Sequence, residues 1–312
     1  MNISITQSVA VTTPSPSGGG LGRGEQRSPL ARLLIYLPCL ALLWSSLLWA
    51  QEPTIHHDLT VTLQPEQHRI EASDHITLPA GSPRQLEFTL HRDLKPTAVG
   101  AKLTPLTSSN HGITKAYRLT LPAEKQSLTL RYMGTIHQPL EAYGKERARG
   151  FRTTSGSISS EGAYLAGETY WYPSFTGTSS LQFKLSVNLP AQWNVVSQGR
   201  RIELKDSVKG RQVVWQSEHP QQEIYLMAAA FHEYRRPAGK AEAQVFIRSP
   251  DEALADKYLQ ATTRYLAMYE KLIGPYPYAK FALVENFWET GYGMPSFTLL
   301  GPKVIRLPFI LT

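Results

Sequence analysis

Leu181-Gln182-Phe183-Lys184-Leu185-Ser186-Val187-Asn188-Leu189, closed by Pro190, alternates apolar and polar side chains without a break. Side chains of a strand point to opposite faces in turn, so the odd-numbered residues can face a core while the even-numbered ones meet water. Proline cannot donate to a sheet ladder and ends the run. Outward from this stretch the same period recurs at residues 59–63, 86–90, 117–121 and 128–132. Residues 202–204 and 213–215 flank Lys209-Gly210, a hairpin signal. Turn residues separate these runs, and antiparallel sheets packed as a saddle or sandwich are the architecture expected.

After Tyr234 the pattern changes. Ser249-Pro250-Asp251-Glu252 supplies an N-cap, a proline suited to the first helical position and a glutamate placed for a capping box. Apolar residues then fall at Leu254, Tyr258, Ala261, Tyr265, Met268 and Leu272, three and four apart, until Gly274-Pro275 stops the helix. Such a stripe packs a core and carries no chemistry. Residues 281–284 read as a short buried strand. The change from strands to helix and strand places a domain boundary near residues 235–245. This divides the chain into a leader (1–50), a mainly β domain (51–240) and the start of an α+β domain (241–312).

The 312 residues are 42% hydrophobic and 18% charged, an ordinary globular composition with a net charge of +7. Arg23, Arg27 and Arg32 against Glu25 put +2 of this in the leader and leave +5 for the rest. The one dense basic run, residues 145–152 (KERARGFR), has no interleaved aromatics and runs into Ser, Gly and Thr, so it reads as a loop and no nucleic-acid partner is expected. Residues 33–50 (LLIYLPCLALLWSSLLWA) are apolar and uncharged, follow Arg32 and end in Ala50. That is the order of a secretory signal, and a periplasmic or secreted location follows. The alternative is a membrane anchor formed by the same residues, facing the chain outside the cytoplasm; eighteen residues are close to the spanning minimum of roughly 17–25 and Pro38 interrupts them. The single cysteine, Cys39, lies inside this segment, so the remainder has no disulfide framework.

Nine histidines are spread along the chain, and no two stand as H-E-x-x-H, the spacing with which a helix presents two imidazoles to one zinc. His56 and His57 are adjacent and point to opposite faces of a strand. There is no G-x-S-x-G, phosphate loop or dinucleotide fingerprint. No catalytic residue and no metal ligand is therefore assigned in this stretch. One segment does carry functional interest: Gly291, Tyr292, Gly293, Met294 and Pro295, after Glu285-Asn286-Phe287-Trp288-Glu289-Thr290. Its glycines allow close backbone approach, and an exposed strand edge there can hold an extended peptide by main-chain hydrogen bonds.

These residues, with Gly274-Pro275-Tyr276-Pro277-Tyr278-Ala279-Lys280 before them, resemble the aminopeptidase N family of zinc metallopeptidases. That family has a Pro-Tyr-Pro segment ending in lysine, and then a G-x-M-E-N motif; Met294 follows Lys280 at the family's interval. Weaker agreements run upstream in order, among them His57-Asp58-Leu59, Trp171-Tyr172-Pro173 and Tyr225-Leu226-Met227. The resemblance implies a β-saddle N-terminal domain followed by the start of a thermolysin-like domain, the peptide-binding role of residues 291–295, and a peptide substrate. It also implies a zinc-activated water in a full-length parent, held by an H-E-x-x-H helix and a later glutamate beyond Thr312. The segment as given is expected to lack the zinc site and to be inactive alone. Pro295 and Ser296 replace the motif's glutamate and asparagine, so the family's grip on a free amino group is missing at its usual place, and Glu289 or Glu168 is left to supply it from elsewhere. The rival reading is a non-catalytic exported β domain that binds peptides or cell-surface partners; a third is an inactive relative.

Overall fold

The structure, a computed structural model, describes residues 54–106, 112–142 and 150–306. The leader with its signal or anchor, most of the basic run and residues 307–312 lie outside the described residues.

Alternation sets the main sheet. Seven strands run in the order Arg200–Ser207, Gly210–Gln216, Leu181–Leu189, Ile55–Gln64, Arg69–Thr77, Ser127–Thr135 and Thr97–Val99. Leu181, Phe183, Leu185, Val187 and Leu189 are all buried, as the pattern requires. Ile55–Gln64 lies parallel to Leu181–Leu189, with Leu59 opposite Leu185, while the other pairings are antiparallel. Val208 and Lys209 form the two-residue turn of the hairpin read at Lys209-Gly210. A second sheet (Ser174–Phe175, Gln85–His91, Thr114–Thr120, Lys102–Pro105) and a third (Ser157–Ser159, Gly162–Leu165, Leu226–Ala229, Asn194–Val196) share one core with it. Trp171 and Trp215 are fully buried there, and both indole N–H groups donate to backbone carbonyls, of Ile224 and Val195. A buried indole with its donor satisfied gives its full apolar burial with no desolvation loss.

A fourth sheet carries the C-terminal part, in the order His232–Ala238, Ala241–Ile247, Lys280–Glu285, Phe297–Leu300 and Gly291–Met294. Its first two strands come from residues before and around 240, so the change of sheet begins at His232. Lys280–Glu285 is paired in parallel on both sides, to Ala241–Ile247 and to Phe297–Leu300. One of these partners precedes the strand in sequence and the other follows it. An apolar run buried on both faces, like Phe281-Ala282-Leu283-Val284, suits such a central parallel strand.

The helix spans Glu252–Leu272, and its N-cap is Asp251, whose carboxylate accepts from Leu254 N–H at 2.9 Å. The cap is thus two residues later than the Ser249 expected, because the aspartate's short side chain reaches the third helical N–H directly. The buried stripe also differs: Ala255, Tyr258, Leu259, Thr262 and Leu266 face the sheet. Tyr265, Met268 and Leu272 are 40%, 40% and 72% exposed. Both stripes have helical spacing; small side chains at 255 and 262 let the helix approach the strands closely, and the larger set turns outward.

Among the described residues no helix is long and apolar enough to cross a membrane.

Candidate functional site

Gly291–Met294 is the edge strand of the fourth sheet, paired on one side only, with Phe297–Leu300. Beside it opens a cleft of about 290 Å³ lined by Tyr164, Glu168, Glu223, Tyr225, Tyr292 and Met294, together with Ala166 and Gly293. Each wall follows from local sequence. Tyr164 comes from the buried strand Gly162–Leu165, Glu168 from the 3-10 turn Gly167–Thr169, and Glu223 and Tyr225 from the approach to Leu226–Ala229. The Tyr164 ring meets Trp288 edge-on at 5.2 Å and Tyr292 at 6.0 Å, which ties the cleft's two sides together.

Two carboxylates share the cleft, and they differ in their partners. Glu223 accepts from the Tyr225 hydroxyl at 2.5 Å and from the Gly167 N–H at 2.5 Å. A Cβ at Gly167 would fall 2.6 Å from that carboxylate oxygen, so a larger residue there would push the Glu223 side chain aside. Glu168 accepts no hydrogen bond from any described residue and is exposed to the cleft. Desolvation, and then the neighbouring Glu223 charge, push its carboxyl above the usual value of 4.5. Burial raises the phenols of Tyr164 and Tyr225 well above 10, so both remain O–H donors at any working pH. The arrangement is an electronegative, tyrosine-walled recess next to an unpaired strand edge, and the group it complements best is a cation at the end of an extended chain.

Of the residues singled out in the sequence, Tyr292, Gly293 and Met294 line this cleft, while Gly291 begins the strand and Pro295 sits in the turn after it. The Tyr292 hydroxyl donates to Thr153 Oγ1 at 3.0 Å, and Trp288 Nε1 donates to the Arg152 carbonyl at 3.1 Å. Glu289 does not face the cleft; its Oε1 accepts the Lys303 N–H at 3.0 Å. Glu285 and Asn286 are buried, with Glu285 paired to Arg306 at 2.6 Å and accepting from Arg248 N–H at 2.8 Å. Sequence reading missed Glu223, Tyr225 and Tyr164, which carry no motif; only the Tyr225-Leu226-Met227 match pointed near them. It also placed His57 among ordinary strand histidines, whereas Nδ1 lies 2.8 Å from the buried Asp74 carboxylate.

A larger cleft, about 620 Å³, lies on the outer face of the seven-stranded sheet between Thr60, Glu71, Lys95 and Arg131. Its described lining includes no salt-bridged pair, and it lies on the face of a sheet. Among the described residues no three His, Cys, Asp or Glu side chains stand together as a metal ligand set.

No known family's sequence pattern matches the chain, and no curated protein sequence does. Solved structures do match. An M1 zinc metallopeptidase from Deinococcus radiodurans superposes with a TM-score of 0.58 at 15% identity, over 80% of this chain and 60% of that one. Yeast LTA4 hydrolase gives 0.57 at 14% identity, over 81% and 41%. An aminopeptidase N family protein from Idiomarina loihiensis gives 0.54 at 10% identity, over 82% and 44%. The chain spans at most about 60% of the length of these structures. The described residues therefore share the fold of the matching part of the M1 zinc metallopeptidases, a mainly β domain leading into an α+β one.

Proposed function

We propose that this chain is the substrate-binding portion of an exported zinc peptidase of the aminopeptidase N type, and that its cleft receives the free amino end of an extended peptide. The observation that carries this reading is Glu168: a carboxylate that accepts no hydrogen bond among the described residues and lines a cleft beside the edge strand Gly291–Met294. An extended peptide added to Gly291–Met294 gains main-chain hydrogen bonds from the edge, and its ammonium finds Glu168. Glu168 thereby takes the part that Pro295 cannot, since proline offers neither charge nor N–H. Tyr164 and Tyr225 offer hydroxyls on either side.

Zinc would supply Lewis-acid activation of water in the parent enzyme. The described residues do not fit a zinc site, having no ligand set. No catalytic step is assigned to them. What they do is bind and orient: the strand edge fixes the peptide backbone, Glu168 fixes its end, and the tyrosine walls set the depth of the recess. The partner proposed is a peptide substrate, and the location proposed is periplasmic or secreted, or anchored through residues 33–50.

Calorimetry of the full chain with Ala-Ala-Ala and with its N-acetylated form tests this reading. The free-amine peptide is expected to bind about tenfold tighter, as one charge-assisted contact provides. Equal affinities would remove Glu168 as the anchor.

A further inference from the structure

The turn that follows the binding strand is built against local preference. Met294 pairs with Phe297, so Pro295 and Ser296 are the two loop residues of a hairpin. Two-residue hairpin turns favour positive φ at the first position, which proline forbids. The positive φ falls instead at the second residue: Ser296 has φ +67°, a left-handed backbone that glycine takes freely and serine does not. Something outside the turn must hold it.

Lys280 does so. It opens the strand Lys280–Glu285, is 2% exposed, and its Nζ donates to Ser296 Oγ at 2.7 Å and to the Ser296 carbonyl at 3.1 Å. The amine sits over two rings, 5.2 Å from the Trp215 centroid and 5.1 Å from that of Phe297. Trp215 belongs to the core of the β domain, so this one side chain joins that core to the turn of the binding strand. Burial lowers the Lys280 pKa well below the usual lysine range, with Glu218 opposing, and two of its N–H groups meet the two Ser296 oxygens.

We infer that Lys280 is a positioning residue for the peptide-binding strand, acting through Ser296 to hold Gly291–Met294 at its tilt and register beside the cleft. The role rests on the reading of that strand as the binding edge. The two residues have the composition of a serine–lysine nucleophile pair, but Ser296 is 3% exposed, so no substrate carbonyl reaches it. The pair shapes the site and does not attack.

The test is hydrogen exchange of the full chain, read over residues 291–300 without any peptide, so that it stands apart from the peptide-binding question. Lys280→Met is expected to speed exchange of this hairpin about tenfold, the size of a local opening made easier by one lost anchor. The double variant Lys280→Met/Ser296→Gly is expected to return within about twofold of wild type, because glycine takes the left-handed turn unaided. A lysine that merely fills the core would not be rescued at position 296. Unchanged exchange in Lys280→Met, or a double variant as fast as the single one, overturns the inference. Should Lys280→Met fail to fold, Ser296→Ala takes its place: about threefold faster exchange is expected from loss of the hydroxyl acceptor, and no change overturns the inference.

Discussion

The Tyr225 hydroxyl donates to Glu223 across 2.5 Å, which leaves Glu168 as the carboxylate of the cleft that accepts no hydrogen bond among the described residues. Glu168→Gln is therefore expected to lower the affinity for Ala-Ala-Ala about tenfold and to leave the acetylated peptide unchanged. The pH dependence has a definite sign. An ammonium needs the ionised carboxylate, and burial with the Glu223 charge raises the Glu168 pKa above 4.5. Binding should thus fall on acidification at a pH higher than an ordinary glutamate would give, and Glu168→Gln should flatten the profile. Calorimetry between pH 7.5 and 4.5 measures it; a profile that Glu168→Gln leaves unaltered counts against the assignment.

The His57–Asp74 pair, with side chains 2% and 0% exposed, stitches the first strand to the second in the main sheet. Breaking a buried pair strands the remaining polar group, so Asp74→Ala should cost about 3–5 kcal/mol. Urea denaturation checks this, and a cost under about 1 kcal/mol, the range of a surface ion pair, would contradict it.

His91 is fully buried, and desolvation, with Arg92 adding to it and Asp93 opposing, lowers its pKa below 6.5. The unfolded chain then binds a proton more readily than the folded one below pH 6.5. Its contribution to stability is present above 6.5 and lost as pH falls through the lowered value. Denaturation midpoints of wild type and His91→Gln should diverge at pH 7.5 and converge toward pH 5. A constant difference across that range would show that His91 does not titrate this way.

Strand periodicity was the most legible signal because it answers to one physical demand, a sheet with one face on the core. It located residues 181–189 and the hairpin, whose turn falls one residue earlier than read, at Val208-Lys209. The helix was legible as a helix but not in its facing: stripes such as 254–258–261–265 and 255–258–262–266 both satisfy helical spacing, and only packing against the sheet decides between them. The edge-strand residues could be picked out by their glycines and aromatics. The carboxylates opposite them could not, since Glu168 and Glu223 lie more than a hundred and about seventy residues before Tyr292 and come together only through the third sheet.

The outward face of the helix gives a further expectation. Tyr265, Met268 and Leu272 are exposed, so Met268→Lys and Leu272→Glu should each shift stability by no more than about 0.5 kcal/mol. The same substitutions should reduce self-association in sedimentation, since they break an apolar patch. A loss of stability of about 2 kcal/mol, typical of a core truncation, would place these side chains inside instead.

The central claim, that the recess beside the edge strand receives the amino end of a peptide, is tested most directly by nuclear magnetic resonance shift mapping of the isotope-labelled chain titrated with Ala-Ala-Ala. The shifts are predicted to gather on the amides of Gly291, Tyr292, Gly293 and Glu168, and to vanish with the acetylated peptide. Shifts gathered instead on Thr60, Glu71 and Arg131 at the outer sheet face, or a response that is the same for both peptides, would contradict it.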